Sequence, residues 1–402
     1  MASETSAKKS NILSYGLLVM ALTHTLTHVF GRLYTASFPI IREEFNLSIQ
    51  QLGVIAAIPP LCQAVFSIPF GLLADRFGSK RMLIVSLVVA VAGSLLAASA
   101  ANPFMLILAV SLVYLNTTIY HPAAYSYITR LFKRGDRPKA LGIHGAGGTF
   151  GMSLGPLTLS LFLGNFGLNW RHVYLFWAVP IMLGTLLSLR LSDDEFEEND
   201  NRPEMGSPEV QDGPTSLLTK ALAIFLIYTA IRSIAAQMVG TFMPIIIVDV
   251  KGFSTGQMGF IYGLTSLTGL VSSPLGGVIS SKVGNKKWLT VSVILSLCML
   301  GLVAVVPGGL PFILVYILYG FSGTLGMAAR STLIAGLTPS NQRGLGYSLL
   351  FLPGSIVGAI SPIIAATLIG NFGIGLLFPI SMFISAIGIL VLVFGIKDPE
   401  QP

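Results

Sequence analysis

Polar residues divide this chain into apolar runs of about 20 residues or more, the length an α-helix needs to cross a hydrocarbon layer. They fall at Asn11–Phe38, Ser48–Ala74, Arg81–Ala100, Pro103–Thr129, Lys139–Asn165 and Trp170–Leu191. They resume at Leu217–Val248, Thr255–Ser280, Lys287–Val306, Leu310–Leu337, Gln342–Asn371 and Ile374–Ile396. The pattern predicts an all-α membrane protein with six spanning helices, an interruption and six more. The interruption, Ser192 to Ser216, is dense in acid, Pro and Gly, cannot bury enough surface to order itself, and reads as a solvated linker. The expected organisation is a six-helix bundle over 1–191, an acidic linker over 192–216 and a second bundle over 217–402.

Composition agrees with lipid as the solvent. The chain has 402 residues, 53% of them hydrophobic and only 10% charged, with a mean hydropathy of +0.78, whereas soluble domains carry roughly 25% charged residues. A formal net charge of +7 would suggest nucleic acid in a soluble chain, but here the placement of the bases argues for topology instead. With a cytosolic amino terminus, Lys8, Lys9, Arg76, Lys80, Arg81, Arg130, Lys133, Arg134, Arg137, Lys139, Lys282, Lys286, Lys287 and Arg343 all fall inside, leaving Arg42, Arg171 and Lys251 outside. That is the positive-inside pattern, and it predicts both termini in the cytosol of a multi-pass protein of the cell (inner) membrane. Cys62 and Cys298 lie in apolar runs of different halves and read as packing residues. The first run is longer than a signal-peptide core, lacks a small-residue cleavage site, and is expected to stay as a helix.

The halves repeat each other. Phe38-Pro39-Ile40-Ile41 returns as Met243-Pro244-Ile245-Ile246, Gly71 with Gly78 as Gly277 with Gly284, and Gly164-Asn165-Phe166-Gly167 word for word at Gly370-Asn371-Phe372-Gly373. Such duplications build a central binding site in transporters. Between the second and third runs stands Gly71-Leu72-Leu73-Ala74-Asp75-Arg76-Phe77-Gly78-Ser79-Lys80-Arg81. Gly71 allows close helix approach, Gly78 a tight turn, Asp75 a contact with a helix N-terminus or a base, and the trailing bases an anchor. The second copy keeps its glycines and bases but has Ser281 in the place of Asp75, so any latch is asymmetric.

This loop closely resembles the signature of the major facilitator superfamily, and Arg137-Pro138-Lys139-Ala140-Leu141-Gly142 resembles the superfamily's entrance to its fifth helix. The resemblance implies twelve transmembrane helices in two pseudosymmetric six-helix bundles. It also implies gating by Gly71, Asp75, Arg76, Gly78, Lys80, Arg81 and Arg137, though a loop that only orients the protein fits the same residues. Within the superfamily the chain is similar to fosmidomycin-resistance-like efflux proteins. The matching places are His24, Phe38-Pro39 before Glu44-Phe45, His121-Pro122, and Gly147-Gly148 through Ser153-Leu154-Gly155-Pro156. The last stretch partly matches the antiporter motif, which adds Gly155 and Pro156 to the gating set. That family pattern implies an Asn-Asp pair after the first-helix His and a Glu after His-Pro, where this chain has Thr27-His28 and Ala123. Proton antiport by those acids therefore does not carry over unchanged.

Ionisable residues at membrane depth are costly and mark function by default. The inventory is one-sided: Arg32, Arg232 and Arg330, with His24, His28, His121 and His144, and no Asp or Glu well inside any run. The resemblance places the cavity among the first, fourth, seventh and tenth helices, which carry all of these except His144. His24, His28 and Arg32 share a helix face, as do Tyr114, Thr118, His121 and Tyr125. Tyr228 stands a turn before Arg232, and Tyr319 leads through Gly323 and Gly326 to Arg330. Guanidinium groups without buried carboxylates call for an anion, which a carboxylate, phosphonate or phosphate would supply. The expected substrate-binding set is Arg32, Arg232, Arg330, His28, His121, Tyr34, Tyr114, Tyr125, Tyr228 and Tyr319, and His24, His28 and His121 are the groups that could carry a proton.

The bland alternatives stay open: each Arg could satisfy helix carbonyls or snorkel to an interface, and His144 beside Gly145-Ala146-Gly147-Gly148 reads as a packing residue. His24 and His28 have metal-ligand spacing, but no Glu, Asp or Cys accompanies them, and neither a metal nor a cofactor is expected. No nucleophile elbow or phosphate loop points to an enzyme. The expectation is a monomeric secondary transporter of a small organic anion, working by alternating access in the bilayer. A proton-coupled drug antiporter and a non-transporting membrane sensor are the alternatives.

Overall fold

A chain crossing lipid must satisfy its backbone polar groups internally, so helices are forced on every spanning run. The computed structural model describes residues 12–133, 136–191, 219–337 and 343–396, leaving out the side chains of 75, 138, 335 and 343–353. The linker 192–216, Lys8, Lys9, Arg134 and the side chains of Asp75 and Arg343 thus lie outside the described residues.

The first half contains α1 (Tyr15–Ala36), the short α2 (Phe38–Glu44), α3 (Ile49–Phe77), α4 (Ser79–Ala98), α5 (Pro103–Leu131), α6 (Arg137–Ser160) and α7 (Trp170–Leu189). The second contains α8 (Lys220–Ile245), α9 (Thr255–Leu267), α10 (Gly269–Val283), α11 (Asn285–Val305), α12 (Leu310–Thr324), α13 (Met327–Leu337), α14 (Arg343–Phe372) and α15 (Leu377–Gly395). No strand occurs among the described residues. The twelve predicted spans are α1, α3, α4, α5, α6, α7, α8, α9 with α10, α11, α12 with α13, α14 and α15. Among the described residues, ten stretches of helix are long and apolar enough to cross a membrane. Large apolar side chains such as Phe394, 82% exposed, and Phe383, 68% exposed, cover an outer surface suited to lipid rather than water.

The bundles are built alike. α1 packs on α5, α6 and α7, and α4 on α5 and α7; in the second half α8 packs on α14 and α15, and α11 on α12 and α15. Two pairs make the most extensive contacts between the bundles, α3 with α14 and α6 with α9, and in the repeat these are mates. The duplicated turns also match in conformation. Gly78 ends α3 and Gly284 ends α10, with φ of 83° and 97°, values that glycine adopts without a Cβ penalty.

The structure corrects three sequence expectations. The first run does not continue to Phe38: α1 stops at Ala36, and Pro39 sits in the first turn of the separate helix α2. The eighth and tenth runs are broken, between α9 and α10 at Thr268 and between α12 and α13 at Leu325–Gly326. The breaks stand side by side, joined by a hydrogen bond between the hydroxyls of Ser272 and Thr324. The Leu325 carbonyl at the second break accepts the indole N–H of Trp288 at 3.1 Å. An ordinary apolar sequence hides these breaks because partners from other helices satisfy the freed backbone groups.

Candidate functional site

Arg232 on α8 and Arg330 on α13 line one cavity of about 200 Å³. Its walls include Tyr228 and Thr229 from α8, Ser292 and Ser296 from α11, and Ser322 and Gly326 from the α12–α13 region. Of the three arginines expected to bind substrate, Arg232 and Arg330 share this lining. Arg232 donates from Nη1 to Ser385 Oγ at 3.0 Å. Its stem passes Gly388, where a Cβ would come within 3.4 Å of the Arg232 Cγ. Tyr228 is within electrostatic reach of both arginines, and no carboxylate pairs with either guanidinium among the described residues. Thr229 Oγ1 is buried in the cavity wall without a hydrogen-bond partner.

Arg32 on α1 is not in that lining. Its Nη1 donates across the bundles to Ser266 Oγ on α9 at 2.7 Å, and its guanidinium lies 4.5 Å from the centre of the Tyr262 ring. Tyr319 connects the two regions, interacting electrostatically with both Arg32 and Arg232. Tyr114 lies within electrostatic reach of Tyr262. Tyr34 turns away from any cavity: it is 1% exposed and donates to the Ile55 carbonyl at 2.9 Å in the core of the first bundle.

The histidines form a second constellation, between α1, α5 and α6. His121 Nε2 lies 3.4 Å from His24 Nε2 and 3.2 Å from His28 Nε2. His144, expected only to pack, stacks on His24 with ring centres 3.8 Å apart, and its carbonyl meets His24 Nδ1 at 2.6 Å. Tyr125 stacks on His121 and meets His144 edge-on. Gly148 makes the close approach possible, because a Cβ there would come within 2.5 Å of the His24 ring. Sequence reasoning named His144 and Gly148 only as packing residues, as which they do meet His24, and missed the serine wall of the cavity. Ser292 and Ser296, one turn apart on α11, were the available signal.

The expected gating residues gather at two places. At the basic end, Gly71 faces open space, Gly78 makes the α3–α4 turn, Arg76 lies against Phe77, and Arg137 Nε donates to the Phe132 carbonyl at 3.0 Å. Arg81 is exposed and Lys80 half-buried. At the opposite end, Gly155 packs against the Val29 carbonyl, while Pro156 presents its carbonyl to Gly259 of the other bundle. Here the bundles meet: Arg42 and Asp249 pair at 2.6 Å, Thr35 Oγ1 and Tyr262 Oη lie 3.2 Å apart, and Gly164 packs on Gly256.

The model of the Major Facilitator Superfamily matches residues 20–322 and again 225–402. The chain is 24% identical to the fosmidomycin resistance protein of Escherichia coli (strain K12), covering 93% of this chain and 87% of that one. It is 23% identical to the sialic acid transporter NanX of the same strain, over 89% and 88% of the two chains. With the multidrug resistance protein MdtG of Enterobacter lignolyticus (strain SCF1), identity is 27% over 90% and 88%. Among solved structures, an inward-facing, occupied bacterial homologue of the lysosomal transporter Spinster superposes with a TM-score of 0.73 at 19% identity, covering 94% of each chain. The fold, the paired bundles and these matches lead to one conclusion: the chain belongs to the major facilitator superfamily.

Proposed function

We propose that this superfamily member is a secondary active transporter of a small organic anion of the carboxylate, phosphonate or phosphate type. The observation that carries the reading is the pairing of Arg232 and Arg330 around one cavity with no carboxylate beside them among the described residues. Two uncompensated guanidinium groups in a polar pocket recognise planar or tetrahedral oxyanions through charge-assisted, bidentate hydrogen bonds. Arg32 enters through Tyr319 when the bundles move, since its present hold on Ser266 spans both bundles. The chain acts as a monomer with both termini in the cytosol. The bundle contact at the Arg42–Asp249 end then closes the outer side, and alternating access proceeds by rocking about the midplane. Where transport is proton-coupled, the imidazoles of His24, His28 and His121 are the groups available to titrate; the anion reading does not depend on it.

The test is counterflow in liposomes of purified protein, comparing labelled organic anions with lipophilic cations at several pH values. Anion uptake that falls at least tenfold in Arg232→Ala and in Arg330→Ala is the expected result. Uptake of cations but not anions would remove the reading and move the chain to the drug-efflux class; two of its relatives are named for drug resistance. Binding without flux would make it a sensor, and pH-independent counterflow would remove the proton role.

A further inference from the structure

The histidine cluster is arranged for a ligand that the arginine cavity does not need. His24 Nδ1 sits 2.6 Å from the His144 carbonyl and His121 Nδ1 2.7 Å from the Thr117 carbonyl. A carbonyl accepts only, so each Nδ1 carries the hydrogen and each Nε2 is left as a bare lone pair. Those two Nε2 atoms nevertheless point at each other across 3.4 Å, and His28 Nε2 adds a third nitrogen 3.2 Å from His121 Nε2. Facing lone pairs repel unless a cation lies between them.

A shared proton would bridge two of these nitrogens and leave the third unserved. A metal ion serves all three. In a tetrahedral site with bonds of about 2.0–2.1 Å from imidazole nitrogen to zinc, neighbouring nitrogens stand about 3.3–3.4 Å apart, close to the 3.4 Å and 3.2 Å that separate His121 Nε2 from its two neighbours. The ligand atoms of the three histidines all lie within 4.8 Å of one another. The backbone carbonyls on His24 and His121 supply the outer hydrogen bonds that orient metal-bound imidazoles and hold their tautomers. His28 and His121 are only partly buried, so the site is reachable. Imidazole without carboxylate or thiolate suits zinc, copper, nickel and related ions rather than magnesium or calcium.

From this geometry we infer that His24, His28 and His121 form a binding site for one divalent transition-metal ion of the zinc class. Three neutral imidazoles leave the ion's double charge intact and its fourth position open, and that position takes water, hydroxide or an anionic oxygen. The inference stands on the first bundle alone and is independent of the arginine reading; with the ion bound these imidazoles stay neutral ligands, so the site takes the place of a histidine proton role.

Full-length protein without a histidine tag, stripped of metal in detergent, would be titrated with Co²⁺ and then Zn²⁺. The expected result is the visible ligand-field band of four-coordinate cobalt, saturating at one ion per chain and displaced by Zn²⁺. His24→Ala, His28→Ala and His121→Ala should each weaken binding by at least about 100-fold, since changes in the outer shell alone cost about 10- to 100-fold. His172→Ala, far from the cluster at the start of α7, should bind as the parent does. Gly148→Ala, which crowds the His24 ring without removing a ligand, should weaken binding while the protein still elutes as one species. A parent protein that shows no band at stoichiometric cobalt, or a band that persists in the triple histidine variant, overturns the site. Either result leaves anion counterflow and its arginine dependence untouched.

Discussion

Arg232 shows how single residues set this chemistry. Its stem crosses α15 at Gly388 and its head reaches Ser385, so the guanidinium is held in the cavity rather than free to snorkel. On the proposed anion reading, Arg232→Lys keeps the charge but not the fork, and is expected to bind the anion about 10- to 100-fold more weakly, matching the about 1.5–3 kcal/mol of charged hydrogen bonds. Equilibrium binding of a labelled anion checks it. Glu44 makes a prediction about pH. Partial burial opposes its ionisation, but hydrogen bonds from Arg171 and Trp170 and the Arg171 charge outweigh that and hold its carboxyl below the ordinary value. A carboxyl depressed in the folded state adds stability that is present above its unfolded pKa and lost as pH falls through the folded one. The melting temperature should therefore drop on acidification through the carboxylate range. The drop should be smaller in Glu44→Gln, by scanning in detergent.

Among the elements, α1 and α6 make the most extensive contact. Gly147, Gly151 and Gly155 follow one another at single-turn spacing on α6, and a Cβ at each would strike the carbonyls of Ala21, Thr25 and Val29 in turn. Small residues are the usual means of such approach in membranes. Gly151→Ala is expected to cost about 1–3 kcal/mol by overpacking. Gly71→Ala, where a Cβ meets open space, should not lower stability. Thermal unfolding of the two variants in the same detergent separates them. The seam also explains why His144 and His24 meet: helices this close leave no room for their rings to avoid each other.

For the whole molecule, the weak point is the end where the bundles touch. The Arg42–Asp249 pair is more than a third exposed on both side chains, and such pairs are worth about 0–1 kcal/mol, so this latch alone cannot hold the bundles together. Packing of Gly164 on Gly256 and Gly259 on Pro156 does more. Gly256→Leu should therefore wedge this end apart while leaving each bundle folded. Spin labels at Glu43 and Val250, read by pulsed dipolar spectroscopy, should show a longer distance than in the parent. An unchanged distance would mean that the glycine contact does not govern closure.

The sequence by itself determined the solvent, the spanning runs, the duplication and the residue types set at depth. These follow from length, hydropathy and repeated words, which lie along the chain. The signature loop also made the superfamily legible. What only the tertiary structure decided is which of the buried groups meet. Arg330 rather than Arg32 shares a cavity with Arg232, and it lies just beyond a break between α12 and α13 that apolar sequence does not announce. His121 and His144 join His24 because α1, α5 and α6 press together at glycines more than a hundred residues along the chain from their partners. Rotation of each helix about its axis, and its depth against its neighbours, is set by packing between segments remote in sequence, and no periodicity within one run contains that information.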